Sequence, residues 1–174
     1  NIIVSSKQIV RHKKVMSYMV VTGITFGAML VYLSTSQAMF SDFYGIEQDF
    51  PMYFAMLAGG VGLAAIVNSK IVMRFGMHRV SVWALLGMTV SACAVTLFAS
   101  MNEGAPPFEI FMAGFFIILF CMGFIFGNIN AMAMEWLGGM AGLGNSVVGS
   151  LSSLLAVIVG IVAGRFYTDN IYPI

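Results

Sequence analysis

The feature that most constrains this chain is a succession of five long apolar segments. Each approaches the roughly 20 residues that an α-helix needs to cross about 30 Å of hydrocarbon. Of 174 residues, 60% are hydrophobic and only 9% are charged, too few to cover a water-soluble fold. The sequence therefore predicts an all-α membrane protein with five transmembrane helices, at about 15–40, 50–69, 80–101, 108–132 and 143–163. Asp49 as an N-cap and Pro51 in the first turn predict that the second helix begins near Phe50.

The basic residues are concentrated on one side of these segments. Seven of the eight Lys and Arg lie before the first helix or between the second and third: Lys7, Arg11, Lys13, Lys14, Lys70, Arg74 and Arg79. The two loops on the other side, SDFYGIEQD and NEGAPPFE, hold acids and no basic residue. By the positive-inside rule, the amino-terminal end of the chain is predicted to be cytoplasmic. The pattern indicates membrane topology rather than nucleic-acid binding.

Two of the predicted helices carry polar or aromatic side chains at helical spacing. On the first, the stripe runs Tyr18, Thr22, Thr25, Met29, Tyr32, Ser36, with Gln37 adjacent; on the fourth it includes Phe120 and Asn130, with Asn128 beside it. Polar groups within a bilayer face protein or water rather than lipid. The predicted cavity-lining residues are Thr25, Met29, Tyr32, Ser36, Gln37, Phe120, Asn128 and Asn130. Two alternatives remain open: hydroxyls can bond to their own helix, and the two Asn amides can clamp neighbouring helices.

Small residues form stripes on two other helices. In the last helix they recur at spacings of three and four residues, and the second helix has a shorter version. Small residues let membrane helices approach closely, which is how such helices associate without a hydrophobic driving force. The predicted helix-packing residues are Gly59, Gly62, Gly142, Ser146, Gly149, Ser153 and Gly160.

Three segments resemble the carboxyl-terminal half of a major facilitator superfamily transporter, most closely the Bcr/CflA-type drug:proton antiporters. The segment YLSTSQAMF is similar to the family's seventh helix, and the loop with Arg74, Gly76 and Arg79 resembles its repeated cytoplasmic loop motif. The strongest match is GFIFGNINAMAMEWLGGMAGLGNSVVGS, which is similar to the segment from the tenth into the eleventh helix. Gln37, Gly127 and Trp136 stand where the family has prolines, and Met73 stands where the loop motif has an acid.

The resemblance implies a fold and a function. Residues 1–174 would form an incomplete carboxyl-terminal half-bundle, the seventh to eleventh of twelve helices, within a longer protein. The activity implied is secondary active transport by alternating access, with proton-coupled efflux of small amphipathic molecules as in multidrug efflux antiporters. The implied partners are the small-molecule substrate, protons, the lipid bilayer and the missing amino-terminal half, and the implied location is the bacterial cytoplasmic (inner) membrane. The alternative function is a structural subunit of a larger integral membrane complex.

The sequence gives little support to an enzyme. The five apolar segments contain no paired carboxylates, no Ser/His arrangement and no metal-ligand spacing. Cys93 and Cys121 are predicted to be packing residues, and Glu135 lies too near a loop to favour a buried proton site. We therefore expect no catalytic residues, no metal, no cofactor and no nucleic-acid partner.

Overall fold

The computed structural model describes residues 2–102 and 104–165, and in these residues the chain forms six α-helices. A short 3-10 turn, Gly138–Met140, precedes the last of them. Five of the helices are long and apolar enough to cross a membrane, which confirms the predicted all-α membrane fold. The helices are α1 (Ile2–Arg11), α2 (Lys13–Tyr44), α3 (Phe50–Phe75), α4 (Met77–Met101), α5 (Phe108–Glu135) and α6 (Ala141–Gly164).

Local sequence signals explain where these helices begin and end. Helix α2 begins after His12, whose Nδ1 accepts a hydrogen bond from the Val15 N–H at 3.4 Å. Helix α3 begins at Phe50 as predicted, with Pro51 in its first turn, although Asp49 makes no side-chain capping bond. Gly76 alone separates α3 from α4, and its φ of +79° is a conformation that glycine adopts without strain.

The helices extend beyond the apolar runs that predicted them. The second predicted helix, at about 50–69, continues to Phe75, and the first begins at Lys13 and reaches Tyr44. A hydropathy pattern stops where polar residues begin, whereas backbone hydrogen bonding continues into the headgroup region, where Lys and Arg side chains reach water.

The two ends of the bundle differ in composition. We call the end with the first residues of α2 and the α3–α4 and α5–α6 turns the basic end, because it carries Lys13, Lys14 and Arg79. The opposite end, with the α2–α3 and α4–α5 turns, is the aromatic end. There Phe40 is fully buried and contacts four rings, at centroid distances of 5.3 to 6.2 Å: Phe50, Tyr53, Phe108 and Phe111.

Helix α5 lies at the centre of the described bundle, between α3 and α4, and it also contacts α2. Ser91 Oγ on α4 donates a hydrogen bond to the Gly114 carbonyl oxygen on α5 at 3.0 Å. Helix α2 packs against α6 at two glycines, Gly23 and Gly27. A Cβ built at Gly27 would lie 2.7 Å from the Cβ of Val159, so only glycine permits this approach.

Most of the small-residue stripe of α6 does not face α2. The buried residues of α6 are Gly144, Val148, Ser152 and Ala156, and of these only Ala156 lies on the stripe. The close approach of the two helices depends instead on the glycines of α2, which accommodate Leu155 and Val159 of α6. Two stripe members nearer the aromatic end do approach α2. The carbonyl oxygen of Ala156, which continues the spacing between Ser153 and Gly160, lies 3.1 Å from a Cβ built at Gly27, and a Cβ at Gly160 would lie 3.8 Å from the Cβ of Leu30.

The rest of that stripe, together with the α3 glycines, is exposed within the described chain. No atom lies within 4 Å of a Cβ built at Gly59, Gly62, Gly142 or Gly149, and Ser146 and Ser153 are exposed. Their predicted packing role does not operate between the described helices. It stays a prediction for a partner outside them.

Candidate functional site

The main concave surface shared by the polar helices is an open groove between α2, α5 and α6, with a volume of about 370 Å³. It lies in the half of these helices nearer the basic end. Hydroxyl, amide and aromatic side chains share its wall. The lining residues are Thr22, Phe26, Met29, Phe126, Asn130, Val148, Gly149, Ser152 and Ser153.

Two of the hydroxyls in the groove are used by the helices themselves. Thr22 Oγ1 donates to the carbonyl oxygen of Tyr18 at 3.0 Å, within α2. Ser152 Oγ donates across the helix interface to the carbonyl oxygen of Met19 at 3.2 Å. These hydroxyls therefore stabilise α2 and its contact with α6. For Thr22 this is the alternative stated for the polar stripe, in which a hydroxyl bonds to its own helix.

The Asn130 amide is the group in the groove with the most hydrogen-bonding capacity. Its Nδ2 donates to Asn145 Oδ1 of α6 at 3.3 Å, and its side chain is exposed. A carboxamide has two donor hydrogens and two acceptor lone pairs, so this bond leaves donors and acceptors for a ligand. The Asn130–Asn145 pair is also a polar link across the basic end of the groove, between α5 and α6.

The apolar wall of the groove centres on two phenylalanines that meet edge to face. Phe26 of α2 and Phe126 of α5 have ring centroids 6.1 Å apart at an interplanar angle of 88°. Met29 lies one turn further along α2, where its flexible thioether can adapt to different shapes. An aromatic and thioether wall with a few polar groups is typical of sites for amphipathic small molecules.

The structure brings only two of the predicted cavity residues, Met29 and Asn130, into this groove. Gly149 and Ser153, predicted to pack helices, also line it. The predicted α2 stripe has a period of 3.5 residues, whereas an α-helix has 3.6, so such a stripe turns by about 20° every seven residues. Over the 19 residues from Tyr18 to Ser36, the stripe therefore turns away from any one neighbouring helix.

The remaining predicted residues of α2 lie elsewhere in the bundle. Thr25 and Ser36 are buried, and Ser36 Oγ donates to the Leu33 carbonyl oxygen at 3.3 Å. Gln37 is exposed. Tyr32 lines a smaller cavity of about 140 Å³ between α2, α4 and α5, and its buried hydroxyl has no hydrogen-bond partner among the described residues.

The predicted residues of α5 other than Asn130 make contacts within the bundle. Phe120 contacts two rings of its own helix, Phe116 at 6.4 Å and Phe124 at 5.0 Å. Asn128 is buried and forms a reciprocal amide pair with Asn68 of α3, with both N···O distances at 2.9 Å. For Asn128, the structure thus shows the helix clamp, one of the two alternatives that the sequence left open.

Sequence reasoning missed Phe26, Phe126, Val148 and Ser152 of the groove, and Asn68 and Asn145 of the two amide pairs. Phe26 and Phe126 could have been found from spacing, because Thr22, Phe26 and Met29 are four and three residues apart and Phe126 precedes Asn130 by one turn. Nothing local indicated Asn68 or Asn145, because each pairs with an amide on another helix.

The predicted loop motif forms the tight turn at the basic end. Gly76 supplies the positive φ, and Arg74 and Arg79 are exposed. The Arg74 guanidinium lies 5.4 Å from the centroid of Phe75, which in turn contacts Trp83 at 5.1 Å. Within residues 2–102 and 104–165, no three His, Cys, Asp or Glu side chains form a candidate metal-binding group.

Comparison with known proteins identifies transporter relatives. The chain is 30% identical over 159 residues to an uncharacterized MFS-type transporter, YdgK, of Bacillus subtilis, a match that covers 90% of this chain and 38% of the relative. It is 26% identical over 167 residues to a bicyclomycin resistance protein homolog of Haemophilus influenzae, covering 94% of this chain and 40% of that protein. No protein-family model and no solved structure matches the chain.

These relatives confirm the resemblance to major facilitator transporters of the bicyclomycin-resistance type. The chain spans about two fifths of the length of the curated relatives it matches, consistent with part of a major facilitator fold. Relatives of this kind do not favour a structural subunit of a membrane complex.

Proposed function

We propose that this chain, which is related to major facilitator-type transporters over five membrane helices, is the carboxyl-terminal part of a secondary active transporter. The groove between α2, α5 and α6 would form one wall of its substrate path. The observation that carries the proposal is the composition of that groove: two phenylalanines, a methionine and an amide converge on an open concave surface. No step in this function requires catalysis by the chain.

We propose amphipathic small molecules as the substrates. The aromatic and thioether wall supplies apolar contact area, and the Asn130 amide can both donate and accept hydrogen bonds. The Haemophilus relative is named as a homolog of a bicyclomycin resistance protein, which supports export of a drug-like molecule.

The proposal places the basic end in the cytoplasm of a bacterial cell, with the bundle in its cytoplasmic membrane. The concentration of Lys and Arg at that end supports this orientation. The exposed small residues Gly59 and Gly62 of α3, with Gly142 and Ser146 of α6, would then face the rest of the protein. Close approach of that second half would complete the cavity and allow alternating access around it.

Protons are the proposed coupling ion, and we assign their binding site to the part of the protein outside this chain. The acids of the described helices lie at helix ends rather than within the membrane-spanning segments: Asp42, Glu109 and Glu135. A proton-coupling site requires an ionisable group whose environment changes as the cavity opens and closes.

The proposal is tested with the full-length protein in proteoliposomes that contain a pH-sensitive dye. Bicyclomycin or ethidium, added under an imposed proton gradient, should cause substrate-dependent proton flux. Asn130→Leu should reduce that flux at least about tenfold, because an interaction worth about 1.4 kcal/mol corresponds to a factor of ten. Ser150→Val is the matched control, since Ser150 is exposed on α6 and does not line the groove. Full flux in Asn130→Leu would contradict a role for this groove.

A further inference from the structure

Among the side chains of α1 that the structure describes, residues 5–11, Ile9 is the one buried against the basic end of the bundle. Ile9 is 1% exposed and packs in a cluster with Val15, Leu137 and Val148, which belong to α2, the α5–α6 turn and α6. On the other side of α1, Lys7, Gln8, Val10 and Arg11 are exposed. Helix α1 is therefore amphipathic, with its position fixed by an apolar anchor and its basic face open.

A tryptophan marks the corner where α1 meets α2 and the α5–α6 turn. Lys14 Nζ lies 3.9 Å from the centroid of Trp136, and the His12 ring lies 5.7 Å from it. The Trp136 side chain remains 49% exposed. Tryptophan is enriched at the level of lipid headgroups, and a cation over its face is attracted to the ring.

Positive charge accumulates at this corner without compensating acids nearby in sequence. Four exposed cations lie within eight residues: Lys7, Arg11, Lys13 and Lys14. The first acid of the whole sequence is Asp42, at the far end of α2. Glu135 is the acid nearest in sequence to Trp136, so the named residues of this corner carry four positive charges against one negative charge.

We propose that this basic corner, formed by Lys7, Arg11, Lys13, Lys14 and Trp136, binds the phosphate headgroups of anionic phospholipids. Clusters of basic residues on an amphipathic helix beside a transmembrane helix attract anionic lipid surfaces. Exposed Val10, between the cations of α1, can enter the interface and adds an apolar contact that a free phosphate ion cannot use. The proposal rests on the membrane placement proposed above, but not on any transported substrate.

The second basic segment supplies a matched comparison within the same chain. Lys70, Arg74 and Arg79 lie at the same end of the bundle and are exposed, but they flank the Gly76 turn between α3 and α4. Among the described helices, no short surface helix like α1 adjoins these three residues. We therefore expect them to contribute general attraction to the membrane without enriching anionic lipid around Trp136.

Fluorescence of Trp136 tests this inference. The full-length protein, with its other tryptophans including Trp83 replaced by phenylalanine, is reconstituted in vesicles that contain either brominated phosphatidylglycerol or brominated phosphatidylcholine at equal mole fraction. Bromine quenches tryptophan on contact, so brominated phosphatidylglycerol should quench Trp136 more strongly. A Trp136→Phe variant confirms the origin of the signal.

Removing charge at the corner should reduce this preference. The triple variant Lys7→Gln, Arg11→Gln, Lys13→Gln retains Lys14 over the tryptophan and should lower the preference for phosphatidylglycerol at least about fivefold, the factor that corresponds to losing the attraction of a single charge, about 1 kcal/mol. The triple variant Lys70→Gln, Arg74→Gln, Arg79→Gln should leave it unchanged. The charge-conserving variant Lys7→Arg, Arg11→Lys should retain it, which separates loss of charge from misfolding.

Three outcomes would overturn the inference. The first is equal quenching of the parent protein by both lipids. The second is an equal loss of preference in the two glutamine variants, which would indicate only general attraction. The third is displacement of phosphatidylglycerol by inorganic phosphate at the same ionic strength as a chloride control, which would indicate a free-anion site. Each readout is independent of transport, so a failed transport assay would not mimic any of them.

Discussion

At the aromatic end of the bundle, Phe40 of α2 is enclosed by four rings from α3 and α5, and Tyr44 Oη donates a 2.8 Å hydrogen bond to the Pro106 carbonyl oxygen. In the half nearer the basic end, the space between α2, α5 and α6 is instead an open groove of about 370 Å³. There α5 and α6 are linked by the exposed Asn130–Asn145 pair at 3.3 Å.

The two ends therefore differ in how strongly their contacts resist rearrangement. Buried, closely packed aromatic rings contribute several kcal/mol each and resist rearrangement, whereas one exposed hydrogen bond between two side-chain amides breaks at little cost. The aromatic end therefore holds α2, α3 and α5 together, whereas α5 and α6 are linked beside the groove by the weaker Asn130–Asn145 contact.

The largest effect is expected at Phe40. Replacement by alanine should lower the free energy of unfolding by about 3–5 kcal/mol, because it removes a fully buried ring and leaves a cavity. Unfolding of the purified full-length protein in detergent by added denaturing detergent measures the change. Phe98→Ala on α4, where the ring is 38% exposed, is the control and should cost much less. Equal losses of unfolding free energy in the two variants would contradict the proposal that the aromatic end stabilises the bundle.

A smaller loss is expected at the α2–α6 contact. Gly27→Leu should destabilise the protein by about 1–3 kcal/mol, since its side chain would overlap Val159. The same change at Gly149 places leucine in open space within the groove. Gly149→Leu should therefore leave stability unchanged in the unfolding assay while blocking proton flux. Stability losses of similar size in the two variants would argue against the observed packing face of α6.

The two amide pairs provide the third test. Asn128→Leu leaves the Asn68 amide without its partner between α3 and α5, and should cost about 1 kcal/mol. Asn145→Leu breaks only the exposed bond to Asn130, so its effect on stability should fall within about 0.5 kcal/mol. Denaturing-detergent titrations of the two variants, side by side, compare them directly. A greater loss for Asn145→Leu would reverse the proposed order of rigid and movable contacts.

A loss no larger than that of a single hydrogen bond is expected from Tyr44→Phe, which removes one hydroxyl at the edge of the aromatic end. The change leaves the ring packing on Phe108 and Phe111 and loses only the bond to Pro106, worth about 0.5–1.5 kcal/mol. Transport should remain at the parent level. A fall in proton flux without a change in stability would mean that the aromatic end takes part in substrate movement.

Much of the fold, but little of the groove, follows from the sequence. The five helices can be recognised in the sequence because long apolar runs, and residues near helix ends such as Pro51 and Gly76, determine local structure. The groove depends on which helices are neighbours and how each is rotated. A 3.5-residue stripe on α2 placed Met29 and Tyr32 on the same wall, whereas in the structure Met29 lines the groove and Tyr32 lines a separate cavity beside α4.

The sequence also did not show which helices pack against each other. The glycines that matter between α2 and α6 are Gly23 and Gly27, isolated on a helix noted for its polar stripe, and not the conspicuous series on α6. Small residues show that a close approach is allowed, but they do not show which partner uses it. The Asn68–Asn128 pair joins residues 60 apart in sequence, beyond any local pattern.

Substrate protection in the groove is the most direct test of the central claim. In the full-length protein without its native cysteines, Ser153→Cys and Ser150→Cys are labelled with a membrane-impermeant maleimide, with and without bicyclomycin or ethidium. We expect substrate to slow labelling at position 153, which lines the groove, and to leave labelling at position 150 unaffected. Labelling at position 153 that no transported substrate slows, or equal slowing at both positions, would contradict the central claim.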